Sequence, residues 1–114
     1  MKIYLSILIY LLCSCSNSNE KTPENICAKT TFKSILKEIH LAEAAFELNK
    51  AKNIEDANNK LGIRYFHIYK KHQVSEMEFK KTLDYYSKNP KKLEQIYADI
   101  LAQLTKEKST LYQQ

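Results

Sequence analysis

A histidine and a glutamate three residues apart on a helix lie on one face, and His40 and Glu43 have that spacing. His72 stands further along the chain, at the end of a second apolar stretch. Packed against the first helix, it could complete a polar cluster of His40, Glu43 and His72. Such a cluster could move a proton or hold a divalent ion. The pattern departs from that of di-metal bundles, which carry Glu-x-x-His on two helices plus further glutamates. Here the order is reversed and occurs once. The plainer reading is a polar cluster at a bundle edge, with each imidazole bonded to a carbonyl or to Glu. Serine and cysteine have no visible histidine-paired context, so no catalytic residue, metal ligand or cofactor is assigned.

The second group with chemical capacity is aromatic. The chain has 8 tyrosines, and Tyr65, Tyr69, Tyr85, Tyr86 and Tyr97 recur at helical spacing. Tyr offers an apolar body and a polar tip, which suits both the edge of a core and a binding groove for peptide or glycan. Glu38, Glu43 and Glu47 form an acidic strip expected to face solvent, with Glu43 and Glu47 able to pair with Lys50.

The elements that must position these groups are few. At 114 residues the chain allows one small domain. A single glycine, Gly62, excludes both common glycine-rich phosphate loops, which need several. It also disfavours a β-rich fold with glycine turns. The net charge of +5 is spread over pairs such as Lys70-Lys71, Lys80-Lys81 and Lys91-Lys92. These read as solvated helix faces, or as cations drawn to anionic lipid head groups. Nucleic acid is a poor partner for an exported chain.

Export is what the first residues suggest. Lys2 precedes an apolar run from Ile3 to Leu12, about half the roughly 20 residues a spanning helix needs. A basic start, a short apolar run and small residues make a secretory signal. Leu12-Cys13-Ser14-Cys15 resembles a bacterial lipobox, which implies lipidation at Cys15 after cleavage. The alternatives are a plain signal cut near Ser14 or a buried N-terminal helix. Several acyl chains, at about 0.8 kcal/mol per buried CH₂, would hold a small domain on a membrane. Residues 1–14 thus read as a signal peptide and 15–29 as a flexible tether containing Pro23 and the free Cys27.

The remainder, 30–108, reads as all-α. Phe32, Ile35, Leu36, Ile39, Ala42 and Phe46 recur at three and four residues and predict a helix from about Thr31 to Lys50, with Leu41, Ala45 and Leu48 widening the stripe. A second is clearest from Leu61 to Lys71, after a polar stretch that could be loop or a weak first turn. Ser75 and Glu78 fit a capping box, and Val74 with Phe79 a hydrophobic staple, at the start of a third. Asn89 and Pro90 suit the cap and first position of a fourth, whose stripe is Leu93, Ile96, Tyr97, Ile100, Leu101 and Leu104. Residues 109–114 are expected to fray. The expectation is a small antiparallel bundle of three or four helices.

Ile39-His40-Leu41-Ala42-Glu43-Ala44 resembles the "hLAEA" helix of a family of small Bacteroidota lipoproteins, domain of unknown function 4296. Tyr69, Lys71 to Ser75, Phe79, Leu83, Tyr85-Tyr86, Asn89-Pro90, Leu93 and Ile96-Tyr97 agree in order. The resemblance covers about 30–105 and implies a helical domain on a lipid anchor in a two-membrane bacterium. It implies no activity and carries over no catalytic residue. Ser16-Asn17-Ser18-Asn19 departs from the acidic surface-export signal of that bacterial group, which favours the periplasmic face of the outer membrane. The expected role is a non-enzymatic adaptor or chaperone-like protein that binds an unknown envelope protein. Two alternatives stand beside it: a small metal-dependent or hydrolytic envelope enzyme using His40, Glu43 and His72, and a cell-wall glycan-binding tether.

Overall fold

Four helices in the computed structural model account for the apolar stripes, and the structure describes residues 25–113. Helix α1 spans Lys29–Asn49, α2 Ile54–His72, α3 Glu76–Ser87 and α4 Pro90–Tyr112. The expected all-α bundle is what forms. Residues 1–24, with Cys15 and most of the predicted tether, lie outside the described residues.

Local sequence explains most helix ends. Asn53 accepts a hydrogen bond from the Asp56 backbone N–H at 3.0 Å, and Glu55 and Asp56 favour the positive end of α2. The polar stretch therefore belongs to the helix, which starts seven residues before the apolar stripe at Leu61. Its other end turns at Gln73, in the left-handed region at φ 55°, where glycine is the usual residue. The Ser75 hydroxyl accepts from the Glu78 N–H at 3.0 Å, as the capping pattern predicts. At α4 the prediction needs correcting. Pro90 occupies the first turn, but the Asn89 side chain makes no capping bond; only its backbone carbonyl receives Leu93 N–H at 3.1 Å.

The core is built around α1. Phe32, Ile35, Leu36, Ile39 and Ala42 are buried along one face. Phe32 is fully buried, stacks on Tyr86 at 5.0 Å and tilts against Phe79 at 5.4 Å, which brings α3 against α1. Val74 and Phe79 join this cluster together, as the staple requires. Ile96 and Ile100 close it from α4. Leu41, Leu48 and Leu101 fall outside it and are exposed, so the expected stripes on α1 and α4 are narrower than the sequence suggests. Helix α4 also stays regular to Tyr112, past the expected fraying point.

The largest departure concerns Cys27. Expected in a flexible tether, it is buried and part of the core. Its backbone N–H donates to the Thr82 hydroxyl at 3.0 Å, and its thiol meets the same oxygen at 3.3 Å. Thr82, fully buried on α3, donates in turn to the Glu78 carbonyl at 2.8 Å. Burial pushes the Cys27 thiol above its ordinary pKa. The segment before α1 is thus part of the fold, clasped to α3.

Candidate functional site

A groove of about 880 Å³ opens where α1, α2 and α3 meet, with α4 at its edge. Its floor is apolar: Leu36 and Ile39 from α1, Phe79 and Leu83 from α3, and Val74 from the turn between α2 and α3. The walls hold the chemically interesting groups. His40 and Glu43 come from α1, Tyr65, Phe66 and Tyr69 from α2, and Tyr97 from α4.

These side chains are tied to one another. The Tyr65 hydroxyl donates to Glu43 at 3.0 Å, and burial together with that carboxylate pushes the phenol pKa up to about 12. Tyr69 rests on Phe79 with ring centroids 5.7 Å apart, and its pKa is raised, first by burial and then by Glu76. The His40 ring tilts against Tyr97 at 5.5 Å. Its Nδ1 lies 3.8 Å from Glu43, beyond hydrogen-bond reach, and its Nε2 is buried with no partner. An unpartnered ring nitrogen can take one more hydrogen bond, as acceptor or donor according to tautomer. At the rim, Lys70 sits 5.8 Å over the exposed Phe66 ring, and Lys80 pairs with Glu76 at 2.9 Å.

The predicted trio of His40, Glu43 and His72 does not assemble. His72 instead bonds Glu38 through Nε2, and Lys71 joins the same carboxylate at 2.7 Å. Glu38 thus clamps the end of α2 to α1 rather than facing solvent. Burial acts to raise the Glu38 pKa, but the hydrogen bonds from Lys71 and His72 outweigh it and hold the carboxyl below its ordinary value. Among the described residues no group of three or more His, Cys, Asp or Glu side chains is placed to hold a metal ion.

The tyrosines divide as well. Tyr65, Tyr69 and Tyr97 line the groove. Tyr86 is a core residue, 7% exposed, and Tyr85 packs edge-on against it at 5.0 Å on the other side of α3. Two contributors were missed from sequence. Phe66 is 61% exposed and lines the groove. Gly62 lines the wall, and a Cβ there would meet nothing within 4 Å. Its absent side chain is the sequence signal, since glycine in a helix interior costs about 1 kcal/mol relative to alanine.

Comparison with known families gives one match. The sequence profile described as domain of unknown function DUF4296 matches residues 23–110. The chain belongs to the DUF4296 family. No curated protein and no solved structure gives a significant match. The DUF4296 match begins at Pro23, so it takes in the Cys27 clasp as well as the four helices. Among the described residues no helix is long and apolar enough to cross a membrane.

Proposed function

We propose that this DUF4296 protein is an envelope lipoprotein, anchored through Cys15 to the periplasmic face of the outer membrane, that holds an apolar segment of another envelope protein in the groove. In this reading it is an adaptor or chaperone-like binder and performs no reaction. The observation that carries it is the groove itself. At about 880 Å³ it falls within the roughly 300–1,000 Å³ typical of binding clefts, with an apolar floor and a few polar groups on its walls. The buried and unpartnered Nε2 of His40 supports a ligand that brings a hydrogen-bonding group with its apolar surface. The Glu43–Tyr65 bond supports a preformed wall, since it holds α1 and α2 at fixed separation. Leu12-Cys13-Ser14-Cys15 supports the anchor.

The test uses Phe66→Glu. Phe66 is exposed, so the change should alter stability by no more than about 0.5 kcal/mol. Lipidated wild-type protein purified from mild-detergent extracts should carry a stoichiometric envelope partner, and the variant should lose it. Equal retention by both would remove the groove from the reading.

A further inference from the structure

We infer that the outward face of α3, beside the Cys27 clasp, rests on an anionic phospholipid surface. The inference rests on the anchoring at Cys15 proposed above. Its first support is the position of the clasp. The clasp between Cys27 and Thr82 holds the segment before α1 against α3. Ten residues, 16–25, separate Cys15 from Ile26. Even fully extended, at about 3.3–3.6 Å each, they reach only about 35 Å. The chain therefore joins the domain on its α3 side, within about 35 Å of Cys15.

Its second support is charge. Ile26, Met77, Lys80, Lys81, Tyr85 and Lys88 share this face. Glu76 pairs with Lys80 at 2.9 Å and Asp84 with Lys88 at 3.1 Å, each within α3. Lys81 precedes the clasp residue Thr82 and Lys29 follows Cys27 by two positions; among the described residues neither has an ion-pair partner. An uncompensated lysine near an anionic leaflet favours contact by about fivefold. Its third support is apolar. Met77 is 67% exposed in the first turn of α3, one turn before Lys80 and Lys81, and Ile26 and Tyr85 on the same face are half-buried. Exposed apolar side chains beside lysines suit the interface between head groups and acyl chains, where long cationic stems lie along apolar surface. The Glu76–Lys80 pair is shared with the rim of the groove, so a domain seated in this way would hold its groove open beside the bilayer.

The test is an orientation measurement on the lipidated full mature protein. A spin label is placed at Met77→Cys or, separately, at Leu48→Cys on the back of α1, Cys27 being buried and shielded. Collision with a water-soluble relaxant is read in vesicles of phosphatidylglycerol mixed with phosphatidylcholine. Position 77 should be severalfold less accessible than position 48. The difference should vanish in pure phosphatidylcholine, in 0.5 M salt, and in Lys29→Glu/Lys81→Glu. Equal accessibility of 77 and 48 in the anionic vesicles overturns the inference, and the salt arm does so without relying on any charge variant. Intact mass of the same sample reports the acyl chains on Cys15. A lipidated protein with equal accessibilities overturns only the facing of α3. A mass without acyl chains overturns the anchoring reading and this inference with it.

Discussion

Replacing Thr82 by valine keeps nearly the same shape and deletes one oxygen. That oxygen is fully buried, accepts from the Cys27 N–H at 3.0 Å, meets the Cys27 thiol at 3.3 Å and donates to the Glu78 carbonyl at 2.8 Å. The Glu78 carbonyl keeps its place in the helix, but the Cys27 amide is left buried without a partner. An unsatisfied buried amide costs about 1–3 kcal/mol. The chain can avoid that cost by releasing the segment before α1 into water, so the cost reappears as local opening. At about 1.4 kcal/mol per factor of ten, the open population at Cys27 rises about 5- to 150-fold. Cys27 is its own reporter. In the wild type it is buried and its thiol is held protonated by burial, so alkylation is slow. Peptide-resolved mass spectrometry after timed alkylation should show labelling of Cys27 faster by that factor in Thr82→Val. In Thr82→Ser, which keeps the hydroxyl, it should remain close to wild type. Equal rates in wild type and Thr82→Val would refute the clasp, as would a Thr82→Ser as fast as Thr82→Val.

Four further outcomes follow from the geometry. Phe32→Ala removes a fully buried ring packed against Tyr86 and Phe79, and should cost about 3–5 kcal/mol in urea denaturation. The caps should separate: Ser75→Ala should cost about 1 kcal/mol, and Asn89→Ala, which loses no side-chain cap bond, only a few tenths by the same assay. Glu38 has a folded pKa below its unfolded value, so its stabilisation is present above the unfolded pKa and is lost as pH falls through the folded one. Wild type should therefore lose stability relative to Glu38→Gln as pH drops below about 4.5, with the gap widest near neutrality, as read by thermal melts across pH. Gly62→Ala should raise stability by about 0.5–1 kcal/mol, since a Cβ there meets open space, while narrowing the groove wall; a melt and a partner titration should move in opposite directions.

Helix-scale features were legible because they are local. Period-three-and-four spacing finds α1 and the middle of α2, and the Ser75–Glu78 and Asn89-Pro90 signals find the breaks between helices. Helix ends were less legible where polar residues dominate, since the stretch before Leu61 carries no apolar period even though Asn53 caps it. The site was half legible. His40, Glu43, Tyr65, Tyr69 and Tyr97 do share one groove, because spacing fixes which face of each helix they occupy. Pairing between helices could not be read the same way. His72 sits one helical turn beyond Tyr69, yet the crossing of α2 over α1 delivers it to Glu38 rather than to Glu43. Tyr85 and Tyr86 are neighbours in sequence and their rings meet edge-on, yet Tyr86 is buried in the core while Tyr85 lines the outward face of α3. Cys27 gave no periodic signal because it precedes the helix, and only tertiary contact with Thr82 orders it.

The central claim, that the groove holds a segment of another envelope protein, is tested most directly by position-resolved photocrosslinking in intact cells. A photoreactive residue is placed in turn at Phe66 and Tyr97, at the groove, and at Leu48 and Leu111, which are exposed elsewhere. The account predicts the same discrete envelope-protein adduct from Phe66 and from Tyr97 and none from Leu48 or Leu111. The same adduct from all four positions, or adducts from Leu48 and Leu111 alone, would contradict it.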